Sequence, residues 1–127
     1  MVALACGCSG SNPATPTNPT QPPPAAGPVP APLTATVVIG SNNVFVPLEV
    51  TVAAGGRVAF VNRNNRPFDI MSDPPLTHTD CPPIQNVGFI QPGQTKETGP
   101  LTVPGTCGFH DHMNEHNPDL RGRIIVQ

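Results

Sequence analysis

The sequence predicts an all-β domain, a single Greek-key β-sandwich of about seven to eight strands over residues 33–127. Three observations carry this expectation. Short runs rich in Val, Ile, Thr and Phe alternate with a period of two, the pattern of a strand with one buried face. Turn signals (Gly-Gly, Pro-Gly, Asn-Asn, Pro-Pro) separate those runs roughly every eight to twelve residues. No window carries the 3.6-residue repeat of an amphipathic helix.

Residues 1–8 read as the remnant of an export signal. "MVALAC" sets small and apolar residues before Cys6 and resembles a bacterial lipobox, whose cysteine is lipidated. Cys6 suits that role better than Cys8. The apolar run ahead of it is shorter than the roughly 7–15 residues of a hydrophobic region, so the expected start lies further upstream. The alternative is an unprocessed tail. Residues 9–32, "SGSNPATPTNPTQPPPAAGPVPAP", hold nine prolines and no charge. Such a stretch cannot bury a core. It is expected to be a disordered linker, semi-rigid through polyproline II, that holds the domain away from a membrane.

From Leu33 the texture changes. "TATVVIG" is β-branched and apolar. "VFVPLEVTVAAGGRVAFVN" places Val50, Val52, Val58 and Phe60 at alternate positions, interrupted by Gly55-Gly56. "NVGFI" and "GRIIV" are further short strands. "MSDPPLTHTDCPPIQN" (71–86) is too rich in proline for a strand and is expected to be a long loop pinned by Cys81. Cys81 and Cys107 read as one disulfide, which implies an oxidising compartment; the alternative is two buried thiols. The net charge is -2 and the six Lys and Arg are scattered, which excludes a nucleic-acid or acidic-membrane surface as partner. No stretch is long and apolar enough for a membrane-spanning helix.

Phe45-Val-Pro47, Val52, Gly55, Val58, Phe60 and Asn62 follow one another as the opening strands of a known family do. Ile90-Gln-Pro92-Gly93, Pro104-Gly105-Thr106 and Gly122-Arg-Ile-Ile-Val126 match its later turns and last strand. Over 33–127 the chain resembles the plastocyanin- and azurin-like cupredoxins, here as a divergent bacterial member. The resemblance implies a cupredoxin-like Greek-key sandwich and, in ordinary members, one copper held by two histidines, a cysteine and an axial methionine. Carried over position by position, the first histidine falls on Phe68 and the cysteine on Asp111. The second histidine falls on Asn114 (or on His116, in the longer azurin-like loop), and the methionine on Leu120. At least three of the four ligands are therefore missing.

A different set of ligands lies nearby. "GTCGFHDHMNEH" (105–116) packs three of the chain's four histidines into seven residues. If 105–111 is a strand, Cys107, Phe109 and Asp111 share one face, with Phe109 and Cys107 pointing into the core. His110 and His112 then share the other, roughly 6–7 Å apart at 3.3 Å per residue. A bridge from Cys81 to Cys107 would bring His78 to the same place, and His116 lies in the following loop. The expected metal ligands are His110, His112, His116 and His78. Asp111 is expected to satisfy backbone N–H groups or to orient a histidine as an acceptor behind it. Imidazoles suit Cu(II) ahead of Zn(II), and without a thiolate the copper would be a pale type 2 centre.

"GFHDH" resembles the Gly-Phe-His-x-His run of copper–zinc superoxide dismutases, but that site uses more histidines than this chain has. Ser72, His78 and Asp80 lie close together without any sign of a strained nucleophile turn, so no enzyme is expected. The function expected from the sequence is copper handling at a non-blue histidine site in the cell envelope, periplasm or outer surface, on a lipid anchor. One alternative is a metal-free scaffold for an envelope protein partner, with Phe68 filling the hole left by the lost histidine. Electron transfer is the weaker alternative.

Overall fold

Proline and glycine divide the chain into short strands, as the alternating pattern requires. The structure, a computed structural model, describes residues 31–127. The expected signal remnant with Cys6 and Cys8, and the proline-rich stretch up to residue 30, lie outside the described residues. The strands are β1 (Thr34–Ile39), β2 (Phe45–Val46), β3 (Glu49–Val52), β4 (Arg57–Asn62), β5 (Phe68–Ser72), β6 (Gly88–Ile90), β7 (Thr95–Glu97), β8 (Gly105–Asp111) and β9 (Arg121–Val126). The described residues hold nine strands, close to the expected seven to eight; Pro47 divides "VFVPLEVTV" between the two sheets. Proline has no N–H for a ladder, so the chain leaves one sheet at Val46 and enters the other at Glu49.

The four-stranded sheet runs β2-β1-β4-β7 and the five-stranded sheet β3-β9-β8-β5-β6. β1 pairs parallel with β4 and β3 parallel with β9, and the remaining pairs are antiparallel. Alternate residues turn inward from both sheets: Val37, Ile39, Val58 and Phe60 from one, Val50, Val52, Phe68, Ile70, Phe109, Ile124 and Val126 from the other. Four phenylalanines fill the centre. Phe109 meets Phe60 edge-on at 5.1 Å and Phe45 at 5.5 Å between centroids, geometries that favour aromatic pairs.

The stretch 71–86 is less of a loop than expected. Met71 and Ser72 complete β5, and Pro82–Asn86 form a 3-10 turn that buries Ile84. What remains, residues 73–81, folds back against β8 and carries His78. The disulfide between Cys81 and Cys107 closes that segment onto β8.

Candidate metal centre

β8 lies inside the five-stranded sheet, between β9 and β5. Cys107 and Phe109 face the core, so Gly108 and His110 face outward, as the alternation predicts. The 73–81 segment covers that outer face. The Asp73 amide donates to the Gly108 carbonyl at 2.9 Å, the Asp80 amide to the Asp73 carbonyl at 3.0 Å, and the Cys81 amide to Ser72 Oγ at 2.8 Å. His110 is 0% exposed beneath it.

His78 adopts the left-handed conformation, φ 53°, which costs a side-chain-bearing residue roughly 1–2 kcal/mol. The surroundings impose it. Its amide donates to the Pro74 carbonyl at 2.8 Å, and the Gln85 side chain donates to its own carbonyl. Its ring Nδ1 lies 2.8 Å from the Ser72 carbonyl oxygen. A carbonyl can only accept, so Nδ1 is the donor in that contact and Nε2 is the nitrogen left for another partner.

His112 does not continue the strand. The chain turns at Asp111, whose side chain accepts the Met113 amide and caps a 3-10 turn over His112–Asn114. The turn swings the His112 ring toward His78. Centroids lie 4.9 Å apart for His78–His112, 5.4 Å for His78–His110 and 5.9 Å for His110–His112. One ring nitrogen from each of the three lies within 4.8 Å of the others. His110 Nδ1 lies 2.8 Å from Asp73 Oδ1, and its Nε2 is buried with no hydrogen-bond partner. Burial lowers the His110 pKa below the ordinary 6.5, against the opposing pull of Asp73, which favours the neutral ring.

The fourth expected ligand stands apart. His116 is 97% exposed at its side chain and lies 3.7 Å from Glu115, outside the trio. The Asp111-capped turn and a second 3-10 turn over Pro118–Leu120, capped by Asn117, flank His116 and leave its ring in solvent. Asp111 satisfies backbone groups, one of its two expected roles, and among the described residues its carboxylate accepts from no histidine ring. Its buried carboxylate accepts from the amides of Asp69 (3.1 Å) and Met113 (3.3 Å), from Asn114 Nδ2 (2.9 Å) and from Arg66 Nη1 (3.5 Å). The acceptor behind a histidine is Asp73, 37 positions from His110, where no spacing rule reaches. The available signal was Gly108, since a glycine inside a strand marks a close approach.

The positions that the family resemblance assigns to copper hold something else. Phe68 is fully buried, with the Arg66 guanidinium carbon 3.7 Å from its ring centroid, and Leu120 is buried as well. Arg66, Phe68, Asp111 and Asn114 together form a hydrogen-bonded, cation–π plug. They offer no thiolate and no imidazole, so they do not fit a blue copper ion.

No protein-family model matches the chain, and no curated protein does. Solved structures do. A methionine-to-alanine mutant of amicyanin in its Cu(I) state superposes with a TM-score of 0.57 at 18% identity, covering 74% of this chain and 82% of that one. A purple cupredoxin from Nitrosopumilus maritimus gives 0.58 at 16% identity, over 73% of this chain and 99% of that one. The oxidized plastocyanin of Dryopteris crassirhizoma gives 0.56 at 20% identity, over 72% and 99%. The chain therefore has a cupredoxin-like fold, with a histidine trio on the outer face of its larger sheet.

Proposed function

We propose that the chain is an exported, non-enzymatic protein that binds Cu(II) at a non-blue site formed by His78, His110 and His112, and that it captures, stores or delivers copper. The observation that carries this reading is the convergence of one ring nitrogen from each of three imidazoles within 4.8 Å, together with a buried and unpartnered Nε2 on His110. An orphaned buried nitrogen costs free energy, and a cation bound there removes the cost. Nitrogens that share one ion at about 2.0–2.1 Å lie roughly 3.0–3.4 Å apart, so loading asks nitrogens within 4.8 Å of one another to close by at most about 1.4–1.8 Å. The affinity order favours copper over zinc on imidazoles, and zinc is the second candidate. A site with no sulfur ligand reorganises on reduction, which argues against rapid electron transfer.

The Cys81–Cys107 disulfide supports an oxidising compartment and so the cell envelope. Anchoring through lipid on Cys6, with residues 9–32 as spacer, belongs to the same proposal; fatty-acid labelling lost in Cys6→Ser tests it. A metal-free scaffold that binds an envelope protein is the second reading, favoured by the Arg66–Phe68–Asp111 plug. One equivalent of Cu(II) separates the two, read by visible absorbance and electron paramagnetic resonance on the wild type and on His110→Ala/His112→Ala. A pale type 2 signal, lost in the double variant, supports the copper site. No tight copper supports the scaffold, and an intense blue band means a thiolate ligand and contradicts both.

A further inference from the structure

Three observations meet at Asp73. Its Oδ1 lies 2.8 Å from His110 Nδ1, the ring edge opposite the unpartnered Nε2. The same oxygen accepts from Arg121 Nη2 at 3.3 Å. Beneath it lies Gly108, where a Cβ would sit 2.8 Å from the Asp73 carboxyl carbon and 2.9 Å from the Asp73 Cβ, inside contact distance of both. We infer that Asp73 is a positioning residue for the trio: its carboxylate holds the His110 ring by the Nδ1–H, which fixes Nε2 as the coordinating nitrogen, and Gly108 is bare so that the carboxylate can lie there. This role rests on the metal reading of the trio.

Asp73 meets His110 at Nδ1 and is not among the groups that converge, which leaves Nε2 as the nitrogen without another partner. A carboxylate in that place fixes the tautomer, sets the ring plane and raises the basicity of the far nitrogen. His78 receives the equivalent service from the Ser72 main-chain carbonyl, which no side-chain change removes. Among the described residues, Asp73 is thus the one side chain within hydrogen-bond distance of a ring nitrogen of the trio; Glu115 stands further off, 3.9 Å from His112 Nδ1. Asp73 also stands between His110 and Arg121, which occupy paired positions on β8 and β9. Without Asp73, the Arg121 guanidinium would lose its carboxylate partner next to His110.

Long-range proton–nitrogen correlation spectra of the metal-free, 15N-labelled protein read the tautomer directly, and Cu(II) titration reads its consequence. The wild type is expected to show His110 protonated at Nδ1. Asp73→Ala is expected to move the proton, wholly or in part, to Nε2 and to weaken Cu(II) binding about 10–100-fold. Gly108→Ala should act in the same direction with Asp73 still present. Asp73→Asn keeps an acceptor oxygen and should retain the wild-type tautomer, with intermediate affinity. A wild-type ring protonated at Nε2, or a tautomer and an affinity both unchanged in Asp73→Ala, overturns the role of Asp73. A wild type that takes up no Cu(II) while the tautomers behave as expected overturns the copper reading instead.

Discussion

Removing the Cys81–Cys107 bridge tests whether this disulfide is what fastens the His78 segment to the sheet. The two cysteines are 26 positions apart. Loop closure over about 27 residues restricts the unfolded chain by about 12 cal/mol/K, or about 3.5 kcal/mol at 25 °C. For a domain of this size that is a fall in Tm of about 15–18 °C. The chain has no Trp or Tyr, so guanidinium unfolding of Cys81→Ala/Cys107→Ala is best followed by far-ultraviolet circular dichroism. A loss near 3.5 kcal/mol with the native spectrum retained is expected. Copper affinity should fall in parallel, because residues 73–81 keep their hydrogen bonds to Ser72 and Gly108 but lose their covalent end. A loss below about 1 kcal/mol, or undiminished copper binding, would refute the tether.

Three further outcomes follow. Asp111→Ala strands the amides of Asp69 and Met113 and the Asn114 amide group, and should cost about 3–5 kcal/mol in denaturant unfolding, whereas Asp111→Asn, which keeps an acceptor, should cost visibly less. At His78, φ is 53°, so His78→Gly should be more stable than His78→Ala by about 1 kcal/mol while both lose copper; equal stabilities would mean that the turn relaxes. The unfolded chain protonates His110 near 6.5, while the folded chain does so only at lower pH. Metal-free stability should therefore fall as pH drops below about 6.5 and level off below the folded pKa, a loss that His110→Gln should lessen and that an identical pH slope in the variant would deny.

Much of the fold was legible because a period of two has one physical meaning. Val50, Val52, Val58 and Phe60 alternate and are buried, and a strand through 105–111 put Cys107 and Phe109 inside and His110 outside. Cys81 made the site legible too: a bridge to Cys107 brings His78 over His110, and the rings lie 5.4 Å apart. What stayed hidden depended on side chains meeting across the fold. Asp73 and Gly108 become partners only once β5 and β8 pair, and Arg66 and Asp111 are 45 positions apart. His116 is four residues from His112 in sequence but lies outside the trio in space, because two capped turns flank it.

The central claim is that three imidazoles, from the 73–81 segment and from the end of β8, hold one ion. X-ray absorption at the copper edge, on protein carrying one equivalent of Cu(II), separates sulfur from nitrogen or oxygen ligands and counts imidazoles by the scattering of their outer ring atoms. The account predicts three imidazole nitrogens and no sulfur, with one nitrogen lost in each of His78→Ala, His110→Ala and His112→Ala. A sulfur neighbour, or a coordination shell unchanged by all three substitutions, would contradict it.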